Sequence, residues 1–416
     1  MTGADKGKSE RRHSGLRILA VHRYYWPDTP PYASMLRRIV QRWHNDGHKV
    51  EVLSSQPSYK STLSNEVQRK KETLDGVPVT RLRLANEVGR PVTRIINALR
   101  LGFSLLWRTV TRRYDVIMIS TAPPVLGGVA AALASRLSGA RFIYHCMDIH
   151  PEVGRISGEF SKPLVFNFLR KLDNWSCHQA SPVVVLSKDM ENTLRERPNG
   201  EKHQISVLNN FSLPDDQDIP ESVPFELPPS RLNILFAGNI GRFQGLHTAV
   251  DAMALLKERD DIVLTLMGDG AAKTSLQEQV NNSGANVRFL GHQPVSVAKA
   301  AMRHADAGFV SLVLGMYRYA YPSKTMTYLE QGCPLIVAVE PESELAREVQ
   351  EQGYGYSVPC DDSEALASLF RRLADDTSWK DSMRANASLK ARNEFAESVV
   401  LDHWSTLLTD SKGAIK

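Results

Sequence analysis

From residue 17 onward, short apolar runs rich in β-branched residues alternate with amphipathic stretches of helical length. The first set of runs falls at residues 17–21, 50–54, 116–120, 142–145 and 183–187. The second falls at 233–236, 263–267, 287–290, 307–310 and 335–338. Runs that are apolar on both faces, separated by crossover helices, predict parallel sheets covered on both sides. The first helix is expected over residues 32–45, ending at Asp46-Gly47, where glycine takes a left-handed cap. Between the two sets lies LPDDQDIPESVPFELPPS, residues 213–230, rich in proline and acid and without periodicity. It reads as a linker. The pattern therefore predicts an α/β chain of two Rossmann-like domains, 16–212 and 231–395, with a cleft between them and a last segment at 396–416. The polar, basic stretch 1–15 has no apolar core of a signal and is expected to be a disordered tail.

In open parallel sheets, ligands bind beyond the carboxyl ends of the strands, so chemistry is sought in the loops that follow strands. In the second domain the run NILFA leads into Gly238-Asn239-Ile240-Gly241-Arg242. Small residues there let a backbone approach a ligand. The spacing of Gly238, Gly241 and Gly245 is not that of a dinucleotide fingerprint, and a tight packing turn explains it equally well. Gly268-Asp269-Gly270 and Gly291-His292 follow the next two runs. YPSKTMTYLEQGCP, residues 321–334, places Pro322, Ser323 and Lys324 at a helix start. Proline and serine suit that position, but a cation there opposes the helix dipole. A bound anion would relieve the conflict, which points to a phosphate. In the first domain, HRYYWPDTPPYAS carries Tyr25, Asp28, Pro30 and Pro31, TAPP carries Pro123, and HCMDIHPEVG carries Asp148, His150 and Glu152. The last three form a polar cluster that can orient a hydroxyl or assist its deprotonation; the alternative is that Asp148 only caps a turn.

Composition changes this picture little. At 416 residues, with 42% hydrophobic and 23% charged, the chain can fill two cores. No apolar run reaches the ~18 residues of a membrane span. Cys146, Cys177, Cys333 and Cys360 are widely spaced, which argues for reduced thiols in a cytosolic protein rather than a disulfide framework or a metal site. The one Asp-x-Asp, Asp216 to Asp218, lies in the linker and is not expected to hold a metal.

Taken in order, YYWPDTPPYASMLRRIVQRWHNDGHKVEVLSSQPSY, STAPP, the Asp148–Glu152 stretch, FAGNIGRFQGL, MGDG, FLGHQP and YPSKTMTYLEQGCPLI resemble the retaining glycosyltransferases of the GT-B fold, family 4. They are most similar to bacterial members that build surface polysaccharide. The resemblance covers residues 17 to about 400. It implies a nucleotide sugar, commonly a UDP-sugar, held by the second domain and an acceptor presented by the first. Ser323 and Lys324 would then meet the diphosphate, with Gly238, Asn239, Gly241, Arg242 and Gly268 near it, and Gly291 and His292 would border the base. Asp148, His150 and Lys324 are the expected catalytic groups. Tyr25, Asp28, Pro30, Pro31, Pro123 and Glu152 are the expected acceptor contacts. The nucleotide sugar is substrate, and no cofactor or metal is implied. The last helix would cross back onto the first domain. Tyr319 and Thr327 stand where many members carry two glutamates, and Glu330 is a candidate to supply the ribose contact that Thr327 cannot. Asn239 and Gln244 replace the usual basic pair of the glycine-rich loop.

Residues 81–113 hold eight arginines and one acid, Glu87, a local charge of +7. Val92, Ile95, Ile96, Leu99, Phe103, Leu106 and Trp107 recur there at helical spacing. A basic helix with an apolar stripe either packs into a core or lies on an anionic membrane. The second choice suits a lipid-linked saccharide acceptor and a cytoplasmic protein peripheral to the inner face of the membrane. Two alternatives stay open at this point: a nucleotide-sugar epimerase of the same fold, and a non-enzymatic nucleic-acid-binding protein, which the transferase reading does not require.

Overall fold

The computed structural model describes residues 15–28, 30–57, 68–87, 90–215, 217–225 and 230–410. The predicted tail up to residue 14, and Asp216, lie outside the described residues. The first sheet comprises β1 (Arg17–Val21), β2 (Lys49–Ser55), β3 (Lys71–Leu74), β4 (Val77–Leu82), β5 (Val116–Ser120), β6 (Arg141–Cys146), β7 (Val183–Val185) and β8 (Ile205–Val207). Their order is β3-β4-β2-β1-β5-β6-β7-β8. All neighbours are parallel except β3 with β4. The second sheet comprises β9 (Leu232–Ala237), β10 (Ile262–Met267), β11 (Val287–Leu290), β12 (Ala307–Ser311), β13 (Leu335–Ala338) and β14 (Gly355–Val358), ordered β11-β10-β9-β12-β13-β14 and wholly parallel. Central strands such as β5 are buried along their whole length, which is why their sequence is apolar without alternation.

Helices α1 (Pro31–Asn45), α2 (Pro91–Arg112), α3 (Leu126–Ser138), α4 (Glu152–Ile156), α5 (Pro163–Gln179) and α6 (Lys188–Arg195) belong to the first domain. The second carries α7 (Leu246–Ala254), α8 (Lys273–Ser283), α9 (Val295–His304), α10 (Lys324–Glu330), α11 (Glu344–Glu351), α12 (Ser363–Asp375) and α13 (Trp379–Lys390). A short π-helical turn at Ala391–Phe395 then leads to α14 (Glu397–Thr409). In the first domain α1 and α14 share one core with the sheet, while α2, α3 and α5 share the other. The last helix lies on the first domain. Trp404 meets Trp43 edge-on at 5.9 Å and His145 at 4.8 Å, and Arg141 donates to the carbonyl of Leu408 at 3.3 Å.

Several strands were not predicted. β3 and β4 form a hairpin through Asp75 (φ 51°) and Gly76 (φ 79°), an Asp-Gly turn flanked on one side by the polar edge strand KETL. β8 and β14 are short edge strands of three and four residues. β7 ends two residues before its predicted limit because Ser187 caps α6, accepting from the Met190 N–H.

In both sheets the chain reverses its winding beside the first strand: between β1 and β5, and between β9 and β12. The loops after these four strands line the crevice. Described parts of the linker lie against the second domain, where Leu213 N–H donates to Thr327 Oγ1 (3.3 Å) and His304 Nε2 bonds the Glu221 carbonyl (2.8 Å).

Candidate active site

The second domain offers bare backbone. Gly238 (φ 139°) and Gly268 (φ 138°) follow β9 and β10, and a Cβ on Gly268 would lie 2.0 Å from the Gly238 carbonyl oxygen. Only glycine permits this approach. Gly238 N–H bonds Met267 O, and Ile240 N–H bonds Asp269 O, so the two exit loops are stitched together. Gly241 N–H donates to Gln244 Oε1 (3.0 Å), and the Asn239 amide folds over Gly241. Gly238 and Asn239 are exposed, as is Arg242, which has no ion pair among the described residues. Gly291 and His292 are also exposed, but they follow the edge strand β11, two strands from the β9–β12 crevice.

Lys324 lies on this crevice. Its ammonium sits 3.4 Å from the centroid of the Phe236 ring on β9 and 3.6 Å from where a Cβ of Gly238 would be. No carboxylate pairs with it among the described residues, and burial alone lowers its pKa to about 7. A desolvated, unpaired ammonium beside naked backbone is a seat for an anion. The start of α10 is itself a poor anion seat, contrary to the expectation from sequence. α10 is only seven residues long, and the exposed Ser323 makes no capping bond. The cation's surroundings, rather than a macrodipole, carry the reading. Tyr328, which sequence reasoning missed, fixes α10. Its hydroxyl donates to Leu235 O and accepts from Ala237 N–H, both at 2.8 Å, and its ring fills the space a Gly308 side chain would need.

One turn further along α10, Thr327 is buried and accepts from the linker at Leu213. Glu330 Oε2 accepts from Ser212 Oγ (2.6 Å), Lys299 Nζ (2.9 Å) and Gln331 Nε2 (3.0 Å). That oxygen is occupied, leaving Oε1 for any ribose contact.

The first domain's residues are less free. Asp148 forms an antiparallel bridge with Ala320, and Ile149 N–H donates to Tyr319 O at 2.8 Å. The loop that leads into YPSK is thereby joined to the loop that carries Asp148, and the Tyr319 ring packs on the first domain's core. Burial raises the Asp148 pKa, and nearby His150 partly opposes this. Burial lowers that of His150, whose Nδ1 has no partner among the described residues.

Glu152, expected as an acceptor contact, is instead structural. Both its oxygens bind Arg197 (3.2 and 2.7 Å), which also binds Asp173 (2.7 Å) and the His150 carbonyl (2.8 Å). The buried carboxylate is there to pair the arginine, and the arginine holds the His150 loop. Tyr25 is likewise a correction: it is 1% exposed, in the core beside Arg81, and cannot present its hydroxyl to a ligand. Pro123 is buried against Gly127. Asp28 is buried, Pro30 precedes α1, and Pro31 is its exposed first residue.

Arg23 was also missed. It is 5% exposed at the exit of β1 and pairs with Glu87 (3.1 Å), while Nε and Nη1 have no partner among the described residues. It lay inside a loop singled out from sequence, but nothing marked its burial.

Comparison with known proteins agrees with this fold. Residues 32–210 match the family described as "Glycosyl transferase 4-like domain", and residues 231–376 match "Glycosyl transferases group 1". The chain is 26% identical over 279 residues to a probable glycosyltransferase WbjE of Pseudomonas aeruginosa, covering 66% of this chain and 69% of that one. It is 23% identical over 376 residues to a putative colanic acid biosynthesis glycosyl transferase WcaI of Escherichia coli (strain K12), covering 86% and 92%. Its fold superposes on crystalline Anabaena Alr3699/HepE in complex with UDP with a TM-score of 0.69, at 16% identity, over 95% of this chain and 100% of that one. Two glycosyltransferase families matched in succession, on two facing parallel sheets, leave no room for the non-enzymatic reading: the chain belongs to the GT-B glycosyltransferases, with a 4-like first domain and a group 1 second domain.

Proposed function

We propose that the protein moves a sugar, with retention, from a UDP-sugar to a lipid-linked saccharide in the assembly of a surface polysaccharide. The observation that carries the donor side is Lys324, an unpaired, partly desolvated ammonium against the glycine exits of β9 and β10. The relatives' printed roles, colanic acid biosynthesis for one and a UDP complex for another, support the polysaccharide setting and the nucleotide. Departure of the sugar leaves growing negative charge on the diphosphate. Lys324, the exposed Arg242 and nearby backbone N–H groups stabilise that charge. No resident cofactor is assigned. Asp148 and His150 lie on the acceptor side and orient the attacking hydroxyl. Arg23 has spare donors for an anionic group on the acceptor.

A ligand that binds only the folded state raises its melting temperature by mass action. The reading expects UDP and one or more UDP-sugars to raise Tm, and Lys324→Ala to abolish most of that rise. No response to any nucleotide or nucleotide sugar in a broad panel would overturn it.

A further inference from the structure

Among the described residues, 17 large apolar side chains are exposed, and 12 of them lie on α2, α3 and α5. These helices are neighbours, with α3 between the other two, on the face of the first sheet opposite α1 and α14. α2 is apolar twice over. Ala98, Leu101 and Leu105 face the core, while Val92, Leu99, Phe103 and Trp107 form a second stripe turned outward. Phe103 is 69% and Trp107 65% exposed. On α5, Leu164 is 87% and Phe168 61% exposed, and Leu137 on α3 adds to the same surface. A patch of this kind is a place of contact, because soluble surfaces seldom gather so many large apolar groups.

Its charge says what covers it. α2 carries four arginines, α3 one, and α5 Arg170 and Lys171, against a single acid, Asp173. Asp173 is buried and already paired with Arg197. Arg94 pairs with Glu159, and Arg108 and Arg112 with Glu51, whereas exposed Arg100 and Lys171 have no ion pair among the described residues. An apolar stripe flanked by cations complements an anionic lipid surface, with aromatic and aliphatic groups at the acyl boundary.

The patch reaches the cleft. α2 begins beyond the carboxyl end of β4, and Arg94 in its first turn pairs with Glu159 (3.1 Å), in the segment between the Asp148 loop and α5. The exposed apolar residues of α5 are all in its first two turns, at that same end. We infer that α2, α3 and the first turns of α5 form one platform on which the protein lies against an anionic lipid bilayer, with the Asp148 side of the cleft at the lipid surface. This goes beyond the donor reading and stands without it, since vesicle binding needs no nucleotide.

The test uses the full chain with vesicles of phosphatidylcholine alone or mixed with phosphatidylglycerol. The protein co-sediments with the anionic vesicles and far less with the neutral ones. Phe103→Glu and Leu164→Glu each weaken partitioning about tenfold, and Arg100→Gln about fivefold. Leu164→Gln weakens it in the same direction without an added charge. Lipid addition shifts tryptophan emission to the blue, and Trp107→Phe loses most of that shift. These sites are exposed, so Tm and the response to UDP stay at parental values, which separates failure here from failure of the donor reading. Absence of binding to either vesicle overturns the platform, and equal binding to both overturns its electrostatic part. A silent Leu164→Glu beside an active Phe103→Glu confines the contact to α2. A vesicle-free dimer that Phe103→Glu dissociates assigns the face to a second copy of the chain and overturns the lipid.

Discussion

The two sides of the cleft use ionisable residues in opposite ways. On the second domain, Lys324 is unpaired, and its neighbours are a phenylalanine ring and bare glycine backbone. On the first domain, the charged residues around the His150 loop are mostly satisfied by one another: Arg197 holds Glu152, Asp173 and the His150 carbonyl. Asp173 also accepts from Tyr144 at 2.8 Å, and Arg197 is 5% exposed. An unpaired, partly desolvated charge is costly and implies a partner that arrives, whereas a closed network implies a scaffold. The second-domain side therefore offers a seat for an anion, as the proposed donor site requires. Around His150 the first-domain side holds one short loop still, while Arg23 at the exit of β1 keeps two unpartnered donors.

Changes on the two sides should then fail differently. The largest effect is expected from Arg197→Met, which leaves two buried carboxylates without their cation. Loss of a buried pair's partner costs about 3–5 kcal/mol. Urea unfolding followed by a first-domain probe should show it, with UDP binding to the surviving folded fraction little changed. Next, Lys324→Ala removes a charge-assisted contact worth about 1.5–3 kcal/mol. In calorimetry UDP should bind roughly tenfold to more than a hundredfold more weakly, at unchanged or higher stability, because a desolvated ammonium is gone. Asp148→Asn should do the reverse, cutting turnover while UDP affinity survives. Equal losses of both would place Asp148 on the donor side.

A graded effect, small near neutrality and growing with acidity, comes from His22 and His145, packed against Tyr32 under the returning helix. Burial holds both native pKa values at about 3, below the ordinary 6.5. The unfolded chain takes up protons below about pH 6.5 and the native chain only near pH 3, so stability falls as pH drops through that window. The slope approaches about 1.4 kcal/mol per pH unit per histidine. Unfolding of His145→Gln between pH 7 and 4 should show a shallower slope than the parent. Smallest of all, Glu330→Gln should change UDP affinity by under about 1 kcal/mol, as its 42% exposed side chain is committed to Lys299 and Ser212.

What could be read from sequence follows from range. The central strands were legible because burial on both faces makes them continuously apolar, as in VIMIS at β5. The Asp-Gly hairpin joining β3 to β4 carried a turn signal, but its polar outer strand hid it. The outward stripe of α2 was visible as periodicity, but only the fold shows that Ala98, Leu101 and Leu105 already supply the core face. At the site, YPSK was legible as a local motif. Glu152 and Arg197, 45 residues apart, were not legible as a pair, and neither was the bond from Ile149 to Tyr319 across the cleft. Glu152 looked free to bind an acceptor because nothing local shows what a buried carboxylate is paired with. Tyr25 looked like a loop aromatic until the chain around it closed over it.

The central claim is that Lys324 waits, half-neutral, for the donor's diphosphate. Burial sets its free pKa at about 7, and a bound diphosphate would restore its proton. Calorimetric titration of UDP between pH 7.5 and 9 tests this directly. For the parent protein, affinity should fall by about tenfold per pH unit, with proton uptake seen as a binding heat that varies with the buffer's ionisation enthalpy. In Lys324→Met both the slope and the buffer dependence should vanish. A parental affinity that does not change with pH, or the same slope in the variant, would contradict the account.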